Sequence, residues 1–393
     1  MLKIVLLMGI VLQSYFLNAQ TFSNKVIVGA EQMDSYISSL KNKKVALLVN
    51  QTSTVKDRHL VDTLLASKIN IVKIFAPEHG FRGTADAGEK IKSGIDTKTG
   101  IPISSMYGAN KKPSAVSMKG IDVVVFDIQD VGVRFYTYIS SLQYMMEACA
   151  QAKIPLVILD RPNPNGFYVD GPIMEAKNKS FVGMQPIPIV HGMTVGEYAQ
   201  MLNGEKWLTG KMTCKLKVIP CLHYDHNTLY NLPIPPSPNL KSATAVFLYP
   251  SLCLFEGTCV SVGRGTETPF EVWGAPMFKD NGFSFIPKST EGAKRPLYEN
   301  QVCHGANLRL PPYDVLKIIR KKLHLTFVKN AYSLMPDKTK FFNDFFEKLT
   351  GNVWVRYHIM QNKSDEDMRA SWEPGLTKFK KVRKKYLLYP DFE

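Results

Sequence analysis

The chain has 393 residues, of which 45% are hydrophobic and 11% aromatic, and it carries a formal net charge of +15 at pH 7. These proportions are typical of a chain that folds throughout and is long enough for two domains, and they exclude a disordered protein. The excess of positive charge favours anionic partners, but no stripe of lysines interleaved with aromatic residues predicts a nucleic-acid platform.

The first residues have the pattern of a signal for export. Lys3 supplies a positive charge, residues 4–11 are apolar, and small residues precede Gln20. This pattern predicts a secretory signal peptide over residues 1–19, because the apolar run is too short for a membrane anchor. We therefore expect a periplasmic or secreted protein without an integral membrane segment, whose anionic partner is wall polymer or a membrane surface rather than nucleic acid.

Apolar strands alternate with amphipathic helices over the first part of the chain. Strands are predicted at residues 44–50, 70–76, 102–107, 121–127, 155–160, 187–190 and 216–219. Helices are predicted at residues 60–68, 138–153 and 194–203. Thr194 and Glu197 have the spacing of a capping box at the start of the last of these helices. The alternation predicts an α/β fold with a Rossmann-like parallel sheet.

The pattern changes after a proline-rich segment. Residues 231–240 include four prolines, which favour an extended connection over a helix or strand. A helix is predicted at 243–255, and a final one at 364–386 that Pro374 should kink or split. The boundary falls between about residues 225 and 290. We assign a Rossmann-like domain to residues 20–240 and a smaller α+β domain, which completes a cleft, to residues 241–393.

Polar and charged side chains directly follow three of the predicted strands. They are Glu78, His79 and Arg82 after the second strand, Asp127, Asp130, Arg134, Tyr136 and Tyr138 after the fourth, and Arg161 and Asn163 after the fifth. The carboxyl ends of parallel strands meet at one edge of a sheet, and ligands bind there in open α/β folds. The sequence therefore predicts that these residues gather around one site.

The residue types at this edge indicate acid–base chemistry on an anionic ligand. A carboxyl group between apolar neighbours can serve as a general acid, which is the role we predict for Glu78; capping a helix or pairing with Arg82 is the alternative. His79 either orients that acid, contacts the ligand or makes a structural hydrogen bond. Asp127 and Asp130 either face the cleft or bond the backbone of a turn. Arginine and tyrosine side chains suit an acidic sugar.

Other motifs argue against a cofactor. His223, Asp225 and His226 do not have the spacing of a common zinc site, and we interpret them as a surface turn. The segment at 262–268 has two glycines but lacks the third of a dinucleotide-binding loop. No GxSxG nucleophile elbow is present in the sequence. We therefore expect neither a metal nor a nucleotide.

Seven motifs carry a resemblance to a known family. They are LLVNQT at 47–52, APEHGFRG at 76–83, FDIQDVGVRFYTY at 126–138, LDRPNP at 159–164, HGMT at 191–194, FEGT at 255–258 and VGRGT at 262–266. With them the sequence, over about residues 27–390, resembles the NamZ-type exo-β-N-acetylmuramidases of peptidoglycan recycling. The resemblance implies a Rossmann-like domain, a smaller C-terminal domain, and release of terminal N-acetylmuramic acid (MurNAc) from the non-reducing end of wall fragments without a cofactor.

The resemblance implies catalytic and binding roles for the candidate residues. Glycoside hydrolysis normally uses two carboxyl groups, about 5–5.5 Å apart for retention and about 6.5–9.5 Å for inversion. We predict Glu78 as the acid, and Asp127 or Asp130, then Glu256, as the second group; assistance by the substrate's own acetamido group is the alternative. The lactyl carboxylate of MurNAc is expected at Arg134, Arg161 or Arg264. The full set of expected substrate contacts is Arg82, Arg134, Tyr136, Tyr138, Arg161, Asn163, His191, Glu256 and Arg264.

Two other functions compete with hydrolysis. A non-catalytic protein could bind muropeptides in the same cleft, but a plain binder of an anionic sugar would gather cations without several acids. An esterase or amidase acting on wall peptides would need a nucleophile elbow. The sequence therefore favours the glycoside hydrolase.

Overall fold

The computed structural model describes residues 23, 25–78, 80–81, 93–108 and 111–393. The strands are β1 (Val45–Val49), β2 (Thr54–Val55), β3 (Arg58–His59), β4 (Ile71–Ala76), β5 (Gly94–Ile95), β6 (Pro102–Ser105), β7 (Val123–Asp127), β8 (Leu156–Leu159), β9 (Leu216–Ile219), β10 (Val272–Ala275), β11 (Ser284–Phe285) and β12 (Cys303–Asn307). The α-helices are α1 (Ile37–Leu40), α2 (Leu60–Ala66), α3 (Ala115–Met118), α4 (Tyr138–Ala152), α5 (Val195–Gly204), α6 (Ala243–Leu252), α7 (Pro312–Ile319), α8 (Thr326–Leu334), α9 (Phe346–Thr350), α10 (Trp354–Met360) and α11 (Asp365–Arg383). The predicted signal peptide at residues 1–19 lies outside the described residues.

Seven strands form the central sheet, in the order β5-β6-β4-β1-β7-β8-β9. All neighbours are parallel except β5, which runs antiparallel to β6. The chain adds β4 and β6 on one side of β1, and β7, β8 and β9 on the other. The strand order therefore reverses at β1, and in open α/β sheets such a reversal places a crevice at the carboxyl edge. The predicted Rossmann-like α/β fold is confirmed.

The central strands are apolar throughout because both faces of the sheet are covered. Ala46 and Leu48 of β1 belong to a large core that also contains α4 and the helices after residue 240. Val45, Leu47 and Val49 belong to a smaller core on the opposite face. Alternate residues of one strand thus stabilise two layers. The parts of the chain before and after residue 240 share the large core, so the second part packs directly on the first.

Helix α5 shows how a local signal fixes an element. The Thr194 hydroxyl accepts a hydrogen bond from the Glu197 amide at 3.3 Å, and the Glu197 carboxylate accepts one from the Thr194 amide at 2.9 Å. This reciprocal pair is the predicted capping box, and the helix begins at the expected place.

Two predicted elements differ in the structure. Residues 187–190 form isolated bridges from Val190 instead of a strand, because Pro186 and Pro188 remove backbone donors from the segment. Helix α11 continues through Pro374 as one helix. Its buried side chains on both sides of the proline pack into the large core, and this packing holds the helix together.

The part of the chain after residue 240 adds a three-stranded antiparallel sheet, in the order β10-β12-β11, and the helices α6–α11. No helix in the described part of the chain combines the length and the apolar character that a membrane span requires.

The C-terminal segment returns to the central sheet. The Tyr389 hydroxyl donates to the Asp160 carboxylate at 2.6 Å, and the Leu388 amide donates to the Glu197 carboxylate at 2.9 Å. Asp160 directly follows β8, and Glu197 lies in the first turn of α5. Both acids are buried, so the segment satisfies hydrogen-bond acceptors that would otherwise lack these partners.

Arg134 joins separate segments of the chain from a buried position. Its guanidinium donates to the carbonyls of Pro172 at 2.9 Å, Ile187 at 2.7 Å and Leu349 at 2.8 Å. Burial lowers the pKa of Arg134 to about 9, so the side chain still carries its charge at neutral pH. It therefore links the loop after β7 to helix α9.

Replacing this arginine should destabilise the fold. We expect Arg134→Met to lower the free energy of unfolding by about 3 kcal/mol or more, because buried carbonyls would lose their donors. Urea unfolding measures the change, with exposed Arg58→Met as a control expected within about 0.5 kcal/mol of wild type. A loss below about 1 kcal/mol for Arg134→Met would contradict the structural role.

Candidate active site

A pocket of about 450 Å³ lies at the carboxyl edge of the sheet, between the parts of the chain before and after residue 240. Its polar and charged lining consists of Glu78, Lys111, Thr137, Ser180, Ser237, Glu256 and Arg264. Its aromatic lining consists of Tyr107, Phe135, Tyr136, Tyr138, Phe181, Tyr249, Phe270 and Phe345. Pockets of this size, with few polar groups among aromatic walls, are typical of small-ligand sites.

Glu78 stands on one wall, directly after β4 and Pro77. Its carboxylate accepts hydrogen bonds from the Tyr107 hydroxyl at 3.0 Å and the Thr137 hydroxyl at 2.7 Å. Tyr107 follows β6, and Thr137 is the residue before α4, so two neighbouring segments orient the acid. The side chain is half-buried and faces the pocket.

Glu256 and Arg264 form an ion pair in the lining of the same pocket. The Glu256 Oε1 atom accepts from Arg264 Nη2 at 2.6 Å and from Nε at 2.9 Å. Both side chains remain about a quarter exposed, at 27% and 25%. The guanidinium also lies over the Phe270 ring, 5.1 Å from its centroid. The pocket thus holds one carboxylate from each part of the chain.

Aromatic rings share the pocket lining with the two acids. The rings of Tyr136 and Tyr138 meet edge to face at 5.0 Å, and the Tyr136 hydroxyl donates to the Pro236 carbonyl at 2.8 Å. Burial raises the pKa of both tyrosines, which keeps them neutral. The Lys111 ammonium lies over the Phe181 ring, 4.6 Å from its centroid. The pocket therefore combines flat aromatic faces with the Lys111 cation.

The structure places five of the predicted residues in this pocket. They are Glu78, Tyr136, Tyr138, Glu256 and Arg264. His79 and Arg82 lie outside the described residues. The remaining predicted residues lie outside the pocket lining, in three buried arrangements.

Asp127 and Arg161 pair with each other at the end of β7. The Asp127 carboxylate accepts from Arg161 Nε at 2.5 Å and from Nη2 at 3.0 Å, and Arg161 also donates to the Thr54 carbonyl. The bidentate geometry is that of a strong ion pair, and both side chains are almost fully buried. Neither side chain lines the pocket, because the carboxylate of Asp127 and the guanidinium of Arg161 are paired with each other.

Asp130 lies among the buried residues, outside the pocket lining. Its Oδ2 atom accepts from the Gly132 amide at 2.6 Å, while Oδ1 is buried with no hydrogen-bond partner among the described residues. Burial raises the pKa of Asp130 to about 7. The carboxyl group bonds a turn, which is one of the two alternatives that the sequence allowed.

Arg134, Asn163 and His191 have structural positions. Arg134 makes the carbonyl contacts described above instead of facing the pocket. The Asn163 side chain donates to the Met193 carbonyl at 2.9 Å, and His191 Nδ1 accepts from the Met193 amide at 3.2 Å. Burial lowers the pKa of His191 to about 3, so its ring is neutral.

The segment around His226 also differs from its interpretation as a surface turn. His223 is exposed, but His226 is fully buried, with Nε2 at 3.0 Å from the Glu197 carboxylate and Nδ1 at 3.2 Å from the Gly166 carbonyl. Asp225 bonds the adjacent turn at Thr228. In the described ranges, no group of three or more His, Cys, Asp or Glu residues has the geometry of a metal site.

The pocket residues that escaped the sequence analysis include Tyr107, Thr137 and Lys111. Tyr107 follows β6 as Glu78 follows β4, so the same strand-end signal points to it. Thr137 lies between the two predicted tyrosines. Lys111 lies in a loop without any periodic pattern, and only the folded chain brings it to the pocket.

A parallel sheet whose strand order reverses at β1, together with a pocket that holds two carboxylates, defines a two-domain α/β protein with an aromatic-lined cleft. Residues 45–244 match the family described as exo-beta-N-acetylmuramidase NamZ, N-terminal, and residues 247–389 match exo-beta-N-acetylmuramidase NamZ, C-terminal. The chain belongs to the NamZ family. The predicted border at residues 240 and 241 precedes the junction of the two matches.

Similar proteins cover nearly the whole chain. The peptidoglycan beta-N-acetylmuramidase NamZ of Bacillus subtilis (strain 168) is 38% identical in an alignment of 391 positions that covers 93% of this chain and 92% of that protein. A crystal structure of a DUF1343 family protein from Bacteroides fragilis has 50% identity and a TM-score of 0.86, covering 93% of this chain and 99% of that one. A second such protein from the same organism has 29% identity and a TM-score of 0.73 at the same coverage.

The buried Asp130 should make stability depend on pH. Its pKa is about 7 in the folded protein and about 3.9 in the unfolded chain, so between these values the folded state binds more protons. The wild-type free energy of unfolding therefore loses a contribution as pH rises through this window. We expect Asp130→Asn, which cannot titrate, to gain stability relative to wild type from pH 4 to pH 7, with a constant difference above.

Urea unfolding at several pH values measures this difference. Exposed Asp34→Asn serves as a matched control and should run parallel to wild type. A difference between Asp130→Asn and wild type that stays constant from pH 4 to pH 8 would show that the carboxyl group is charged throughout.

Proposed function

We propose that the protein is an exo-acting glycoside hydrolase that releases N-acetylmuramic acid from the non-reducing end of peptidoglycan fragments. Membership of the NamZ family supports this activity. The observation that carries the proposal is that Glu78, from the part of the chain before residue 240, and Glu256, from the part after it, line one pocket. Two carboxyl groups flanking the substrate are what glycoside hydrolysis normally requires.

Glu78 acts as the general acid in this proposal. The acid must protonate the glycosidic oxygen as the bond to the leaving sugar breaks. Two hydroxyls hold the Glu78 carboxyl group in place, and a hydroxyl can accept a hydrogen bond as well as donate one. The contacts from Tyr107 and Thr137 therefore fit both protonation states of the acid.

Glu256 is the second group in this proposal, ahead of Asp127 and Asp130. Asp127 is neutralised by Arg161 outside the pocket, and Asp130 bonds a turn. Glu256 is partly exposed in the pocket, and Arg264 fixes its orientation. An ionised carboxylate there can act as nucleophile, activate water, or stabilise the positive charge that develops on the sugar ring. These side chains supply the chemistry without a metal or nucleotide.

Lys111 recognises the lactyl carboxylate that distinguishes MurNAc from N-acetylglucosamine (GlcNAc). Arg134 and Arg161 are engaged outside the pocket, and Arg264 is paired with Glu256. Of the described residues that line the pocket, Lys111 is the other cation. Its ammonium lies over the Phe181 ring and has donors to spare for a carboxylate.

The proposed substrate also fits the expected location. Peptidoglycan lies outside the cytoplasm, and the predicted signal peptide would deliver the protein there, to the periplasm or the medium. The net charge of +15 favours approach to an anionic wall polymer.

Removing the acid should abolish most of the turnover. We expect Glu78→Gln to reduce kcat on a MurNAc-GlcNAc disaccharide analogue about 10²-fold or more, because the leaving sugar needs the proton and general-acid catalysis contributes on that scale. Exposed Glu373→Gln is the matched control, and circular dichroism checks that both variants are folded. Near wild-type turnover by Glu78→Gln would remove this residue from the mechanism, and retention of muropeptides without sugar release by wild type would favour the binding protein.

Removing the Lys111 charge should weaken recognition of MurNAc. We expect Lys111→Met to raise KM for the β-MurNAc glycoside about 10-fold or more, since hydrogen bonds to charged groups contribute about 1.5–3 kcal/mol. Exposed Lys119→Met, which lies outside the pocket, is the control. An unchanged KM in Lys111→Met would assign the lactyl carboxylate to another group.

A further inference from the structure

A series of aromatic rings in contact with one another lines the proposed active site. The rings of Tyr138 and Tyr136 meet edge to face at 5.0 Å, those of Tyr136 and Tyr249 at 5.8 Å, and those of Tyr249 and Phe270 at 5.0 Å. All four residues belong to the pocket lining. Two of them precede residue 240 and two follow it, so edge-to-face contacts join the two parts of the chain at the site.

Phe270 is the member of this series that contacts Arg264. The Arg264 guanidinium lies over the Phe270 ring, 5.1 Å from its centroid. The same guanidinium donates to Glu256 Oε1 from Nε at 2.9 Å and from Nη2 at 2.6 Å. The face of an aromatic ring attracts a cation, and a planar guanidinium stacks on it. Phe270 therefore restricts the position of Arg264, and Arg264 in turn restricts that of Glu256.

The backbone of Phe270 has a conformation that bulky residues rarely adopt. Its φ is +63°, in the left-handed region that favours glycine. Gly263 and Gly265 in the same loop have φ values of +75° and +83°. The loop thus has glycine at two left-handed positions and a fully buried aromatic residue at a third. Strained positions of this kind concentrate at functional sites, because the surrounding structure must hold them in place.

Hydrogen bonds on both sides of Phe270 hold the strained residue. The Phe270 amide donates to the Val262 carbonyl at 2.8 Å. The carboxylate of the next residue, Glu271, accepts from the Ser242 hydroxyl, and its carbonyl accepts from the Leu308 amide at 2.8 Å. Ser242 also caps the start of helix α6. Three separate segments therefore fix the place of the Phe270 ring.

Arg264 supplies the positive charge that acts on Glu256. Tyr249 and Cys253 also interact with this carboxylate. Burial raises the pKa of the tyrosine and of the thiol well above their ordinary values, so both are neutral at the pH of the reaction. Of these three groups, Arg264 is thus the one whose charge favours the ionised form of Glu256.

We propose that Phe270 is a positioning residue for the second carboxyl group, because its ring holds the Arg264 guanidinium in the orientation that fixes Glu256. The inference rests on the proposed function, in which the ionised Glu256 takes part in the reaction. A phenylalanine that only filled the core would need neither the left-handed backbone nor the stacked guanidinium.

The test measures kcat and its pH profile on a MurNAc-GlcNAc disaccharide analogue. We expect Phe270→Leu to lower kcat about 10-fold with little change in KM, on the scale of a desolvated cation–π contact. The acid limb of the kcat profile should move to higher pH, because a displaced guanidinium favours the ionised carboxylate less. Phe270→Tyr keeps the ring and should restore both kcat and the profile.

Phe341→Leu is the matched control for the loss of a buried ring. Phe341 is as fully buried as Phe270 but lies outside the pocket lining, so its variant should keep the wild-type kcat and pH profile. Circular dichroism checks that the variants are folded. Phe270→Met, whose flexible side chain adapts to the space left by the ring, repeats the test if Phe270→Leu does not fold.

The outcomes separate this inference from the activity on which it rests. If wild type hydrolyses the disaccharide and Phe270→Leu matches Phe341→Leu in kcat and pH profile, the positioning role is overturned and the proposed function stands. A loss of kcat that leaves the acid limb in place, or that Phe270→Tyr does not restore, would overturn the positioning role as well. Failure of wild type to hydrolyse the disaccharide would overturn both proposals.

Discussion

The strand order around β1 is the constraint on which the site depends. β4 and β7 lie on opposite sides of β1, and a reversal of strand order of this kind places a crevice at the carboxyl edge of the sheet. Glu78 stands after β4, and the tyrosine-rich segment stands after β7. The part of the chain after residue 240 then closes the crevice with Glu256 and Arg264, since it shares the large hydrophobic core with α4.

The sheet could be predicted from the sequence because its physical signal is local. Five-residue apolar runs, turn residues and the capping box at Thr194 each act over a few neighbouring positions, and the structure has elements at nearly all of these places. The failed strand at 187–190 has a local cause as well, in the two prolines. Helix α11 shows the limit of such reasoning, since packing with distant residues keeps the helix continuous through Pro374.

The site itself was only partly predictable, because a strand-end charge can face the crevice or lie beneath it. Glu78 lies two residues after β4 and Asp127 is the last residue of β7, yet Glu78 faces the pocket while Asp127 is paired with the buried Arg161. Which carboxylate has a buried partner is decided by contacts across more than thirty positions of the sequence. Only the folded chain brings Lys111 to the pocket, since the sequence around this residue has no pattern that predicts a site.

The return of the C-terminal segment to the central sheet limits how the chain can be divided into separate domains. The family matches suggest two modules that meet near residue 245. Tyr389 and Leu388 nevertheless supply donors to Asp160 and Glu197, which belong to the first module. A fragment cut at the junction would therefore expose these acids and half of a shared interior. We therefore do not expect either matched segment to fold autonomously.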